Sequence, residues 1–253
     1  QPSPATINAA RRLARTFSLK DEGKRKPDLD AMFLMGSPGT LGHSVASDLD
    51  VWLCHRSDLP ERGIRCLERK AAKLARWAES FGVELHVFVF CASDWRAGRQ
   101  RVEVTGENCG SAQHFLLLDE FYRTSIHLAG AWPMWWLIPA EREETYDDCM
   151  RKLVDYRFVR ADDYIDFGPV PAIPEEEFLG AGVWQLYKGI DAPWKSLLKL
   201  LLIDRYARTT GAALLSSQYK GDVFCGEIDS TLLDTVVTLY MQLDVMRSRA
   251  AGW

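Results

Sequence analysis

Three strand-length apolar runs and one amphipathic helix in the N-terminal half constrain the fold more than any other feature. The runs cover 31–35, 48–55 and 83–91, and the helix pattern covers 61–81. The short runs suit strands, whereas 61–81 repeats at the period of a helix and stops at Gly82. The order strand, strand, helix, strand predicts a small mixed β-sheet with flanking helices, which is an α+β fold.

The chain after residue 110 is predicted to be a mostly helical subdomain. The prolines within 168–174, three in seven residues, cannot continue a helix and indicate a linker. We therefore predict a core over 1–110 that includes an N-terminal helix at 7–17, and a helical subdomain over 111–253 that closes over the site of the core. Its helix patterns cover 113–130, part of 141–167, 178–208 and 230–249.

Composition restricts the classes of partner. The 253 residues contain 31 Lys and Arg against 35 Asp and Glu, with a net charge of -4, and a nucleic-acid-binding protein is typically basic. Six scattered cysteines without a C-x-x-C pair fit a reduced cytosol better than a disulfide framework or a zinc site. The longest uncharged run, 124–140, is too short and too interrupted to span a membrane. We expect a cytoplasmic protein without a membrane span or a nucleic-acid partner and, because the chain begins with Gln1, a fragment of a longer one.

The motif with a clear chemical meaning is Gly36-Ser37 followed, ten residues later, by Asp48-Leu49-Asp50. Side chains alternate across a strand, so Asp48 and Asp50 point to the same side. Two neighbouring carboxylates repel each other unless a cation lies between them, and carboxylate oxygens suit Mg²⁺ or Mn²⁺. The Gly-Ser turn offers backbone N–H groups and a hydroxyl for phosphate oxygens. These residues predict metal-assisted phosphoryl or nucleotidyl transfer.

A third carboxylate is expected because a two-metal site needs one from another strand. Glu84 is the first candidate, since it opens an otherwise apolar strand with His86 on the same face. Asp94, just past the end of that strand, is the alternative. The second D-x-D copy, Asp28-Leu29-Asp30, lacks the Gly-Ser turn and is interpreted as solvated surface.

Cations for the phosphates are expected on a helix of the second half. Lys195 and Lys199 lie at i and i+4 on one helix face, with Lys188 just upstream. Arg123 is a further candidate. Each lysine can equally belong to a solvent-facing surface, and Arg123 can pair with an acidic neighbour.

The segment GSPGTLGHSVASDLDVWLCH resembles the signature of the nucleotidyltransferase (polymerase-beta-like) superfamily and, more narrowly, of the class I adenylate cyclases of gamma-proteobacteria. Pro38 and Gly39 depart from the small hydroxyl residues that are common there. Four further segments are similar to the catalytic region of that family: RRLARTF, ENCGSAQHFLLLDEFYRTSIHLAG, DYIDFGPVPAIPEEEFLGAGVWQLYKGIDAPWKSLLKLLLIDRY and the stretch 214–224.

The resemblance implies a nucleotidyltransferase core that converts ATP to 3′,5′-cyclic AMP and pyrophosphate by a two-metal mechanism with Mg²⁺ or Mn²⁺. It implies that Asp48, Asp50 and Glu84 are the catalytic and metal-binding residues. It also implies regulatory contact with the sugar phosphotransferase system through a C-terminal region beyond this chain. The residues expected to bind the ATP phosphates are Gly36, Ser37, Lys188, Lys195, Lys199 and Arg123.

Two other functions stay open on the sequence alone. A nucleotidyltransferase that adds AMP or UMP to a protein or a small molecule needs the same fold and the same carboxylates. A catalytically inactive nucleotide-binding module also keeps the fold, although it typically loses a carboxylate.

Overall fold

A mixed four-stranded sheet is the centre of the computed structural model. Its strands are β1 (Leu29–Met35), β2 (Leu49–His55), β3 (Leu85–Phe90) and β4 (Ile126–Gly130), in the order β3-β2-β1-β4. β1 is antiparallel to β2 and β4, whereas β2 and β3 are parallel. The structure describes residues 3–13, 16–18, 27–38, 40, 43–45, 47–99, 113–208 and 214–226.

Helices surround the sheet and make up most of the described chain after residue 112. Two-residue strands β5 (Trp132–Pro133) and β6 (Tyr164–Ile165) form a separate parallel pair. The predicted α+β fold is thus confirmed. The α-helices are α1 (Pro4–Leu13), α2 (Glu61–Glu79), α3 (Ala92–Arg96), α4 (His114–Thr124), α5 (Tyr146–Asp155), α6 (Glu175–Lys188), α7 (Pro193–Arg208) and α8 (Leu215–Cys225). Short 3-10 helices lie at Met134–Leu137, Ala140–Thr145 and Ala161–Asp163.

The structure corrects the helix predicted over 113–130. α4 ends at Thr124, and the following residues form β4, which pairs with the free edge of β1. Gly130 has a φ of +89°, and a Cβ there would lie 2.2 Å from the carbonyl oxygen of Asp30, so the close approach of the two strands requires glycine. The sheet thus takes a strand from beyond residue 110, and the division into 1–110 and 111–253 stays a prediction.

Other predicted helices are shorter or interrupted. The pattern over 178–208 is two helices, because the chain turns at 189–192 and α7 begins at Pro193, a residue suited to a first helical turn. Within 141–167 the α-helix is limited to α5. The helix predicted over 230–249 lies outside the described residues. No helix in the described ranges has the length and apolar character that a membrane span requires.

The core lies between the sheet and α4. Trp52 of β2 stacks on Phe121 of α4 with ring centroids 4.8 Å apart, and Phe33 of β1 meets the same ring edge-on at 5.0 Å. All three side chains are buried. Because side chains alternate along a strand, Asp48 and Asp50 lie on the same face as Trp52, at the end where β2 begins. The sheet therefore presents both carboxylates beside α4.

Candidate active site

The two carboxylates lie at the junction of three strands. Asp50 is paired with Met35 of β1 on one side and with His86 of β3 on the other. Gly36 follows β1 directly with a φ of +86°, and a Cβ there would lie 3.5 Å from Asp50 Oδ2. Glycine therefore permits a left-handed turn directly beside the carboxylate.

Burial and a neighbouring carboxylate both disfavour the charged form of Asp50. Burial, followed by repulsion from Asp48, raises the pKa of Asp50 from 3.8 to about 6. His86 and Lys199 act in the opposite direction without cancelling this effect. A divalent cation between the two carboxylates would remove both penalties, because it replaces lost hydration and screens the repulsion.

Glu84 lies beside the start of β2, as expected for a third carboxylate. The backbone N–H of Leu49 donates to the carbonyl oxygen of Glu84 at 2.9 Å. The Glu84 side chain is 65% exposed, with Oε1 3.1 Å from His86 Nε2. It is thus open to solvent at the edge of the carboxylate pair.

Asp94 lies at the other end of the sheet. It follows the carboxyl end of β3, whereas Glu84 precedes the amino end, and a six-residue strand is about 20 Å long. The Asp94 carboxylate accepts a hydrogen bond from Arg99 at 2.7 Å. The geometry therefore favours Glu84 over Asp94 as the third carboxylate. Asp28 of the second D-x-D copy is also at this far end, with Oδ1 4.0 Å from Arg56 Nη2.

Two lysines of α7 face the carboxylates. Lys195 Nζ lies 4.0 Å from Asp48 Oδ1, and Lys199 Nζ lies 3.5 Å from Oε2 of Glu120 on α4. Lys199 is the main cause that lowers the pKa of Glu120, and Glu120 in turn contributes to the raised pKa of Asp50. Glu120 thus belongs to the same electrostatic cluster, a role that its sequence position in α4 did not reveal.

Lys188 and Arg123 have other surroundings. Lys188 Nζ lies 5.4 Å from the ring centroid of Trp184, on its own helix. The Arg123 side chain is 1% exposed, and its Nη2 lies 3.9 Å from Oδ2 of Asp119 one turn earlier on the same helix. It is therefore buried in the protein interior. These positions do not support a direct phosphate contact by either residue.

The loop after Gly36 is held by its own hydroxyl groups. Ser37 Oγ lies 3.2 Å from His43 Nδ1, and Thr40 Oγ1 donates to the Ser37 carbonyl oxygen at 2.8 Å. The Ser37 hydroxyl is therefore already engaged with His43. Gly39, one of the two departures from the family pattern, lies outside the described residues.

The negative charge of Asp48 and Asp50 suits a divalent cation, but the two carboxylates do not form a complete set of metal ligands. In the parts of the chain that the structure describes, no three carboxylate, imidazole or thiolate side chains converge as a metal-binding group. Asp48 and Asp50 offer two adjacent carboxylates, one of them with a strongly raised pKa. Mg²⁺ is commonly held by one or two carboxylates together with substrate phosphates, so two protein ligands are sufficient in principle.

Comparison with known proteins places the chain in a family. Residues 1–136 match the family model for the adenylate cyclase NT domain, and residues 173–248 match that for the class-I adenylate cyclase second domain. No solved structure matches.

Three adenylate cyclases illustrate the similarity. The one from Escherichia coli (strain K12) is 39% identical over 223 residues, which are 88% of this chain and 26% of that protein. The one from Pasteurella multocida (strain Pm70) is 39% identical over 78% of this chain and 24% of its own length. The one from Yersinia pestis is 38% identical over 81% of this chain and 24% of its own length. The chain thus spans about a quarter of the length of these relatives. With one family model matching more than half of its residues, the chain belongs to the class I adenylate cyclase family.

Proposed function

We propose that this chain contains the site that converts ATP to 3′,5′-cyclic AMP and pyrophosphate. The observation that carries the proposal is the approach of α7 to β2, with Lys195 Nζ 4.0 Å from Asp48 Oδ1. A triphosphate chelated to a metal ion needs carboxylates for the metal and ammonium groups for the phosphate oxygens. Both kinds of group face each other here, and the relatives named above are adenylate cyclases.

Asp48 and Asp50 would hold Mg²⁺ or Mn²⁺, with Glu84 as the candidate for a third protein ligand. A cation bound there would neutralise charge on the triphosphate and lower the pKa of the ribose 3′-hydroxyl. The raised pKa of Asp50 supports this assignment, because burial and repulsion from Asp48 disfavour its charged form more than His86 and Lys199 favour it, and a bound cation would offset both effects.

The lysines of α7 would bind and orient the phosphate groups. Lys195 is 63% exposed, so its ammonium group is accessible to a ligand. Lys199 is held by Glu120, which keeps its charge close to Asp50. Both charges would stabilise the pyrophosphate as it leaves, since negative charge accumulates there when the bond to the α-phosphorus breaks.

The reaction needs a base and an in-line geometry. The ribose 3′-oxygen forms a bond to the α-phosphorus, the bond from that phosphorus to pyrophosphate breaks, and the 3′-hydroxyl loses its proton. Glu84 is the residue we assign to accept this proton or to complete the cation site, because its carboxylate is exposed beside His86. The Gly36-Ser37 turn would bring backbone N–H groups towards the phosphates.

Product identity tests the proposal. The purified chain is incubated with ATP and Mn²⁺ or Mg²⁺, and the products are separated and weighed by mass spectrometry. We expect cyclic AMP and pyrophosphate from the natural sequence and neither from Asp50→Asn. Asp28→Asn is the matched control, since it changes a carboxylate of the other D-x-D copy at the far end of the sheet, and it should keep the activity.

The same experiment separates the alternative functions. AMP attached to an added protein or small molecule, without cyclic AMP, would support a nucleotidyltransferase instead. Cation-dependent ATP binding without any product would support an inactive module. Two further proposals concern the whole protein. A cytoplasmic location rests on the scattered cysteines, which fit a reduced compartment, and regulatory contact with the sugar phosphotransferase system rests on the sequence resemblance alone.

A further inference from the structure

The structure contains a buried carboxylate that the proposed reaction does not use. Asp119 of α4 is 1% exposed and is the neighbour of Glu120, which pairs with Lys199. Its Oδ2 accepts a hydrogen bond from the Tyr206 hydroxyl at 2.8 Å, and its Oδ1 accepts one from the backbone N–H of Ser216 at 3.0 Å. Burial of a carboxylate costs free energy that such donors offset, so these bonds fix the place of each donor relative to α4.

The donors to Asp119 come from two other helices. Tyr206 belongs to α7, and Ser216 belongs to the first turn of α8. The Tyr206 oxygen also accepts a hydrogen bond from the backbone N–H of Leu215 at 3.3 Å. Arg123, one turn further along α4, lies with Nη2 3.9 Å from the same carboxylate and balances its charge. The carboxylate therefore joins α4, α7 and the start of α8 at one buried point.

Tyr206 is the large side chain that anchors α7. Of the 16 residues of α7, Ser196 and Tyr206 are buried. The leucines of this helix are only partly buried, and Leu197 is 47% exposed. Because Ser196 is small and apolar burial along the helix is incomplete, the contact between Tyr206 and Asp119 has a large share in fixing the position of α7.

Tyr206 and Lys199 lie on the same face of α7. They are seven residues apart, which is nearly two helical turns and about 10 Å along the axis. This face therefore makes two polar contacts with α4, one from Tyr206 to Asp119 at 2.8 Å and one from Lys199 to Glu120 at 3.5 Å. A helix is stiff over two turns, so the contact at Tyr206 restrains the position of Lys199.

We propose that Asp119 is a positioning residue for ATP, which holds α7 through Tyr206 so that Lys199 stays beside Glu120 and the carboxylate pair. The proposal rests on the function proposed above, in which Lys199 binds a phosphate group. Asp119 is buried, so it acts on ATP only through the helix. A lysine that is already held in place loses less conformational freedom when the triphosphate binds, and this strengthens the binding.

The reactivity of Lys199 towards acetic anhydride tests the positioning in the full chain. Only a neutral amine reacts, so an ammonium group that is paired with a carboxylate is acetylated slowly. The test variant is Tyr206→Phe, which removes the hydroxyl and keeps the ring. We expect acetylation of Lys199, measured by peptide mass spectrometry, to become about fivefold faster relative to that of the exposed Lys73, a factor that corresponds to one typical hydrogen bond.

Tyr146→Phe is the matched control. Tyr146 of α5 is also buried, and its hydroxyl donates to Asp166 Oδ1 at 2.7 Å, so this variant loses an equivalent hydrogen bond on another helix. It should lower the unfolding free energy as Tyr206→Phe does, without a change in the acetylation of Lys199. An equal increase in both variants, or no increase in Tyr206→Phe, would overturn the positioning role.

Calorimetric titration with ATP and Mn²⁺ connects the positioning to the proposed function. Tyr206→Phe should raise the Kd about fivefold in the natural sequence but less than about twofold in a chain that already carries Lys199→Met, because the effect passes through that lysine. Equal effects in both backgrounds would mean that Tyr206 has a general structural role, which would also overturn the proposal. If the natural sequence does not bind ATP, the proposed function fails, and the acetylation rates still decide whether Asp119 positions Lys199.

Discussion

Replacing Asp50 by asparagine should stabilise the folded chain while it abolishes activity. The folded state raises the pKa of Asp50 from 3.8 to about 6, so it binds the carboxyl proton more tightly than the unfolded chain. The unfolding free energy of the natural sequence therefore falls as the pH rises from 3.8 through about 6. Each pH unit corresponds to about 1.4 kcal/mol, so the loss is about 3 kcal/mol at pH 8.

Urea unfolding measured by tryptophan fluorescence checks this prediction. Asp50→Asn should gain up to about 3 kcal/mol over the natural sequence at pH 8, and the gain should shrink towards zero as the pH falls to 4. Asp58→Asn, which removes the same charge from a residue 68% exposed, is the control and should give no such gain. Millimolar Mn²⁺ should stabilise the natural sequence at pH 8 but not Asp50→Asn. An unchanged or lower unfolding free energy of Asp50→Asn at pH 8 would refute the reasoning.

Three further predictions concern the edges of the site. Glu84→Gln should reduce turnover about a hundredfold or more, whereas Asp94→Asn should leave it unchanged, as measured by the initial rate of cyclic AMP formation. Lys199→Met should raise the KM for ATP about tenfold, which is equivalent to about 1.4 kcal/mol of lost binding free energy. An unchanged KM would mean that this lysine only forms an ion pair with Glu120 of α4. Gly36→Ala should lower the unfolding free energy by about 1 kcal/mol and also reduce turnover, because its methyl group enters the carboxylate site. Gly82→Ala, at a φ of +74° in open space, should cost similar stability without loss of turnover.

The parts of the fold with a strong local signal could be predicted from the sequence. β2 and α2 follow from alternation and helical periodicity, respectively, and the structure places them within two residues of the expected ends. The carboxylate pair could also be predicted from the sequence, because side-chain alternation along β2 requires Asp48 and Asp50 to share a face.

β4 was missed because its pairing is a tertiary property. The run from Ile126 to Gly130 continues an apolar helical pattern, and its local sequence does not show that β1 has a free edge. Backbone pairing with that edge outweighs a weak helical preference. Gly130 and Pro133 lie at or after the end of this segment, so they limit the apolar run without showing that the helix stops at Thr124.

Glu120 was missed for a related reason. It is one of two adjacent acidic residues in α4, and its partner Lys199 is 79 positions further along the chain. For Arg123 the sequence left open a phosphate contact or a pair with an acidic neighbour, and the structure has it buried with Nη2 3.9 Å from Asp119 Oδ2. Only the packing of α4 against α7 and α8 distinguishes an inward from an outward position on such a helix.

We propose above that Asp48, Asp50 and the lysines of α7 form one site for ATP and its cation. Calorimetric titration of the chain with ATP, in the presence and absence of Mn²⁺, tests this claim most directly. We predict that Mn²⁺ tightens ATP binding to the natural sequence, that Asp48→Asn combined with Asp50→Asn abolishes this effect of Mn²⁺, and that Lys195→Ala weakens binding with and without Mn²⁺. Equal enhancement by Mn²⁺ in the natural sequence and in the double asparagine variant would contradict the account.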